Sequence, residues 1–251
     1  MPNAIRGWVI PVLLVLAWEL GSRAGVLPQD STSRPSDIVV AALRGLADGS
    51  ILLATWQTLE AALLGFAIAT ILGVSLGVAL GLFPRLESMV GPCIDALRPV
   101  PSVALIPLAL LMFGFGLQLE ASVVAFASVW PILLMTIAAV RGIDPRLLEV
   151  GRVLCFPPLA RLRKIILPAA LGRIVVGLRV SLAISLVVAV TVEIVLNPRG
   201  LGHSLMGAQQ AMRSDVMYAQ LVWLGLVGWG LNSMTRRATR AWPGMADARE
   251  A

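Results

Sequence analysis

Few residues in this 251-residue chain are of types that do bond-making chemistry, and their spacing forms no catalytic site. His203 is the single histidine, and Cys93 and Cys155 are the only cysteines. They give neither a metal-ligand spacing nor a disulfide framework. No Ser-His-Asp or H-E-x-x-H pattern is present. Lys164, the only lysine, follows Arg163, so there is no G-x-x-x-x-G-K-[ST] phosphate loop and no ATP hydrolysis by that route. No metal or cofactor is expected. What remains is charge in two settings. The first is a polar island, Glu149 to Pro168 (EVGRVLCFPPLARLRKIILP), lying between the apolar runs Ala121–Val140 and Ile174–Leu196. Its cations Arg152, Arg161, Arg163 and Lys164 cannot sit in lipid and mark it as cytoplasmic.

The second setting is charge inside apolar sequence. Asp95, Arg98, Arg179 and Glu193 fall within or near apolar spans. Such groups cost about 2.5–3.5 kcal/mol on insertion scales, so they face a cavity or a partner. Asp95 and Arg98 are three apart and can pair on one helix face, or snorkel to the interface. Alternatively, Arg98 gives a pathway a positive wall suited to an anion.

Composition sets the elements that must position these residues. Hydrophobic residues make up 58% and charged ones 14%, against about 25% charged in soluble domains. The chain reads as an all-α polytopic membrane protein. Its net charge of +6 reflects positive cytoplasmic loops rather than nucleic-acid binding. Six spans are expected. Trp8–Leu20 reads as a retained first helix in preference to a signal peptide. After it, Ser36-Asp37 caps a short surface helix, Ile38–Leu46, with Ile38, Val39, Ala42, Leu43 and Leu46 on one face.

Leu52–Phe83 exceeds one span of about 20 residues, and Gly73, Gly77 and Gly81 make a groove on it for close helix approach. In Leu86–Gly114, Pro99, Pro101 and Pro107 break an apolar run. That is tolerated only where protein or a water-filled cavity covers the freed carbonyls. The fourth span is Leu119–Val140. Arg146–Leu154 forms a short helix, Pro157-Pro158 ends it and starts a second, and Pro168 opens the fifth span. A loop runs from Leu196 to Ser214, and Val216–Met234 is the last span. Twelve cations, from Arg6 to Arg249, then lie on the cytoplasmic side with both termini. Five lie outside: Arg23, Arg34, Arg44, Arg199 and Arg213. The chain reads as one domain over 1–251, with a core of about 50–240 and a cytoplasmic loop at 141–168.

Two stretches resemble a known family. Glu149, Ile165, Leu167 and Pro168 stand in the register of the EAA loop of ABC-importer permease subunits. Val150 and Gly151 replace its alanines, and Cys155 replaces its glycine. That glycine serves a turn needing positive φ, which a cysteine takes up less easily. Over Ile94–Gly116, Arg98, Pro99, Pro101, Ala104, Ile106, Pro107 and Leu108 are similar to an R-P-x-P-x-x-A-x-I-P-L run. That run belongs to the permease branch for sulfonate, taurine, nitrate and bicarbonate.

The resemblance implies a type I ABC-importer permease fold in the bacterial inner membrane. It implies two copies of the chain forming the pathway, each docked through Glu149–Pro168 on a cytoplasmic ATPase subunit. A periplasmic or lipid-anchored binding protein delivers a small anionic solute near Gly200–Gly202. Arg98, Pro99, Pro101, Pro107, Arg179 and Glu193 are the candidate pathway residues; membrane lipid is the remaining partner. The alternative is a non-transporting membrane anchor or scaffold for a cytoplasmic partner, which has no reason to keep the proline-broken stretch.

Overall fold

The computed structural model describes residues 2–26 and 32–240, with side chains for 9–26 and 32–237. Arg249, expected on the cytoplasmic side, lies outside the described residues. Every regular element among the described residues is helical. Residues up to Thr58, with Glu193–Val227, make one compact unit. Leu59–Val192, with the residues from Gly228 on, make a second.

In the first unit, α1 (Pro2–Arg23) and α2 (Pro35–Ala47) are the first expected span and the surface helix. The cap of α2 differs from the sequence expectation. Ser36 does not cap its own helix; the Glu19 carboxylate of α1 accepts from the Ser36 N–H (3.1 Å) and hydroxyl (3.0 Å). Glu19 also pairs with Arg23. The buried face of α2 is Ile38 and Ala41, packed with Trp18, Val216, Tyr218 and Ala219. Val39 and Leu43, expected on that face, are exposed. Burial by these neighbours, rather than the apolar count along the helix, chose the face.

Helix α3 (Ser50–Leu82) is one uninterrupted helix of 33 residues, about 50 Å at 1.5 Å per residue. Asp48 accepts from the Ser50 N–H (2.9 Å) at its start, and the Ser50 hydrogen bonds hold the Asp48 carboxyl below its usual range. Phe83 separates α3 from α4 (Pro84–Leu97), which opens on Pro84 as proline allows at a first helical turn. The chain then breaks. Pro99 and Pro101 lack N–H groups, and a short 3₁₀ turn, Ser102–Leu105, leads into α5 (Ile106–Phe113). The two segments are bent by 87°. Pro107 does not break anything, because it sits in the first turn of α5.

The second unit is built on α6 (Leu117–Arg141). A Cβ placed on Gly65, Gly73, Gly77 or Gly81 of α3 would lie 2.5–2.8 Å from Val124, Ile132, Thr136 or Val140 of α6. Both series rise together at a constant offset, so α3 and α6 run parallel along this contact. Parallel neighbours require the intervening chain to return across the same layer, and α4 with α5 is that return. The glycine contact is thus within one chain. Against α9 (Leu167–Val195), Ser181 donates to the Ser128 carbonyl of α6 at 2.8 Å, and Gly177 meets Met135. These pairs run in opposite directions, so α6 and α9 are antiparallel.

Among the described residues, three helices are long and apolar enough to cross a membrane. The bent α4–α5 pair would make a fourth. The remaining expected spans correspond to α1, of 22 residues, and α11 (Ser214–Arg240), of 27. Between α9 and α11 the sequence reading placed a loop. The structure has an 11-residue helix there, α10 (Gly200–Gln210).

Candidate functional site

The Glu149–Pro168 segment is a built platform in the second unit. Helix α7 (Pro145–Val153) starts on Asp144, whose carboxylate accepts from the Arg146 N–H at 2.9 Å, with Pro145 at the first position. Its far end closes by two reversed bonds: Cys155 N–H to the Arg152 carbonyl (3.0 Å) and Phe156 N–H to the Gly151 carbonyl (3.1 Å). That is the Schellman pattern, which needs a left-handed residue at Cys155. Cys155 has φ +50°. The turn persists with cysteine in the glycine position and carries the strain of a Cβ there.

Pro157 then leads to α8 (Pro158–Arg161). The sequence reading started a separate fifth span at Pro168, but the chain is helical from Pro158 to Val195. A π turn over Leu162–Ile166 joins α8 to α9, and the Leu167 N–H bonds the Leu162 carbonyl, five residues back. Pro168 explains it. A proline has no N–H for the carbonyl four residues before it, and its ring collides with that carbonyl; a wider turn removes the collision.

The platform is pinned at Gly151. A Cβ there would lie 2.6 Å from Ile165 Cδ1 and 3.4 Å from Arg161 Cγ. Ile166 is buried with Ala139, Val140, Ile143, Ala170 and Ile174, and Leu148 and Leu162 pack on that cluster. The Lys164 ammonium lies 5.1 Å from the Phe156 ring centroid. With one face of α7 so held, the other is open. Glu149, Val150, Arg152 and Leu154 are exposed, and Val153 is 81% exposed. Glu149 makes no ion pair with Arg146 or Arg152. Of the seven motif residues, Gly151 and Ile165 touch, Glu149 and Val150 share the open side, Cys155 makes the turn, and Leu167 and Pro168 are exposed at the start of α9.

The candidate pathway residues fall on separate elements. Arg98, Pro99 and Pro101 form the exposed break after α4, and Pro107 is exposed on α5. The Asp95–Arg98 pair is not formed; both side chains are exposed. Arg179 is exposed midway along α9. Glu193 belongs to the first unit and is buried. Its Oε2 accepts from the Gly202 N–H at 2.8 Å.

Three polar residues escaped the sequence reading. Gln57 Oε1 accepts from Gly200 N–H and Thr58 Oγ1 from Leu201 N–H, both at 2.9 Å. Glu120, in the first turn of α6, is 1% exposed. The Gly200-Leu201-Gly202 run was the only sequence signal near the first two.

Residues 52–241 match the family described as binding-protein-dependent transport system inner membrane component. The chain belongs to this family. It is an ABC-importer permease subunit, and the anchor reading is set aside. Bacillus subtilis SsuC, named for aliphatic sulfonates transport, is 30% identical over 94% of this chain and 86% of its own. The taurine transport system permease protein TauC of Escherichia coli is 27% identical over 92% and 86%. The bicarbonate transport system permease protein CmpB of Synechococcus elongatus is 35% identical over 69% and 64%. A solved inward facing conformation of the MetNI methionine ABC transporter shares the permease's fold. The TM-score is 0.66 at 22% identity, covering 74% of this chain and 93% of that one.

Proposed function

We propose that the permease carries a small anionic solute of the sulfonate, taurine, nitrate or bicarbonate type. Two copies form the pathway, and each couples through Glu149–Pro168 to a separate subunit that hydrolyses ATP. The observation that carries the coupling role is the open face of α7. Val150, Val153 and Leu154 expose an apolar stripe on a helix capped at both ends and outside the apolar spans. Exposed apolar patches rimmed by charge mark protein contacts. Glu149 stands beside the stripe with no ion pair of its own, ready for a cation on the partner. Closing of the ATPases then moves a platform that is continuous with α9, so the push reaches a membrane helix directly.

The anionic substrate is supported by the names of the relatives and by Arg98 and Arg179, exposed on or beside apolar helices. A cation so placed faces a cavity or a partner. The excess of cations expected inside, twelve against five outside, supports a topology in which both termini are cytoplasmic.

Glu149→Ala tests the coupling. An exposed ion pair is worth about 0–1 kcal/mol, whereas leaving a buried partner charge unpaired costs roughly 2–5 kcal/mol. Recovery of the ATPase subunit with the purified permease is expected to fall steeply and uptake to vanish, while insertion stays normal. Full recovery and uptake would remove this face of α7 as the docking element.

A further inference from the structure

Helix α10 has an unusual start. Its N-cap, Arg199, makes no side-chain cap. Three successive N–H groups are instead taken by side chains of two other helices: Gly200 by Gln57 and Leu201 by Thr58, both from α3, and Gly202 by Glu193 from α9. These are the donors that a helix cannot satisfy internally, and a carboxylate is favoured at that positive end. Thr58 also donates to the Ala54 carbonyl at 3.1 Å, which fixes its hydroxyl as the acceptor for Leu201. Gly200 permits the approach. It has φ +82°, and a Cβ there would run into the Glu193 carboxylate. The clamp leaves α10 with His203, Gln209 and Gln210 exposed, and Met212 and Arg213 exposed just beyond its end. All of these residues lie in the first unit, and Arg199 and Arg213, which flank α10, are among the cations expected outside.

We propose that Glu193 is a positioning residue rather than a lining of the pathway. With Gln57 and Thr58 it sets α10 as the surface that receives the external binding protein. This rests on the importer reading. A substrate-loaded binding protein is the occupant because the family is binding-protein-dependent and because the exposed side chains His203, Gln209 and Gln210 of α10 are polar rather than lipid-like.

The test uses the whole importer reconstituted in vesicles, with its cognate binding protein titrated against ATP hydrolysis. In a separate preparation, with Cys93 and Cys155 changed to serine, a spin label at Gln209→Cys reports the mobility of α10; half-saturation is read on protein without the label. Glu193→Ala is expected to mobilise the label and raise the half-saturating binding-protein concentration about tenfold, with less than about a twofold fall in maximal rate. Glu193→Gln keeps an oxygen for Gly202 and is expected to stay within about threefold of wild type. Thr58→Val keeps the shape but loses the acceptor, and is expected to shift half-saturation in the same direction; it decides the matter if Glu193→Ala does not fold. A mobile label with unchanged half-saturation overturns the proposal, as does an immobile label in both variants. A wild-type complex indifferent to binding protein overturns the importer reading and this one with it.

Discussion

At the residue scale, two side chains among the described residues stand in conformations that favour glycine. Cys155 and Met212 have φ of +50° and +55°, and each closes a helix by the same pair of reversed bonds. A left-handed L residue costs roughly 1–2 kcal/mol, and glycine returns part of that as added freedom in the unfolded chain. Cys155→Gly is therefore expected to stabilise the permease slightly and to leave ATPase recovery intact, while Cys155→Val destabilises it. Thermal unfolding in detergent checks the order; a valine variant as stable as the glycine variant would show that the turn does not control α7. Arg98 is the other test at this scale. It is exposed at the break and unpaired with Asp95, so Arg98→Leu has no ion pair to disrupt. Loss of uptake of anionic solutes with normal assembly is expected if it forms a positive wall. Unchanged uptake of every anionic substrate would remove that role.

At the element scale, the α3–α6 contact is the most demanding. Four glycines on α3 let the helices touch along parallel paths, with Ala61, Ala62 and Ala69 fully buried as well. Small residues bring backbones together where lipid offers no hydrophobic drive between helices. Gly77→Leu must clear Thr136, whose Cβ lies 2.6 Å from the first added atom, and the Leu133 carbonyl at 3.0 Å. Because the contact is within one chain, the expected result is loss of the folded protomer itself. Low yield and a lowered unfolding temperature should accompany any loss of assembly. A stable protomer that merely fails to pair would contradict this packing. The cavity beside it belongs to the same elements: about 600 Å³, walled by Leu76 and Leu80 of α3, Val90 and Ile94 of α4, and Phe126 and Leu133 of α6.

At the scale of the whole molecule, orientation is the property everything else depends on. Reporter fusions after Arg85 and Arg163 are expected to report cytoplasm, and fusions after Asp48, Leu119 and Arg213 the outside. The opposite pattern would place the α7 platform away from any ATPase and α10 away from any binding protein. Parallel α3 and α6 make the prediction sharper. If both cross in one direction, Arg85 and Arg141 share a side. Their positions agree with this, since Glu87, two residues after Arg85, forms an ion pair with Arg141.

The sequence by itself determined the class, the family and the main helices. Apolar runs, proline breaks and the cation bias act locally or along the chain, and they need no knowledge of neighbours. Part of the platform was legible for the same reason: Pro157-Pro158 announces the end of one short helix and the start of the next within a few residues. Tertiary structure decided what depends on distant partners. Glu19 capping α2, Gln57 and Thr58 capping α10, and the glycine stripe meeting α6 of the same chain all join residues far apart in sequence. No periodicity encodes which helix arrives. Glu193 shows the limit most clearly. Composition made it a charge stranded in an apolar span, and only the fold revealed the helix end that its carboxylate holds.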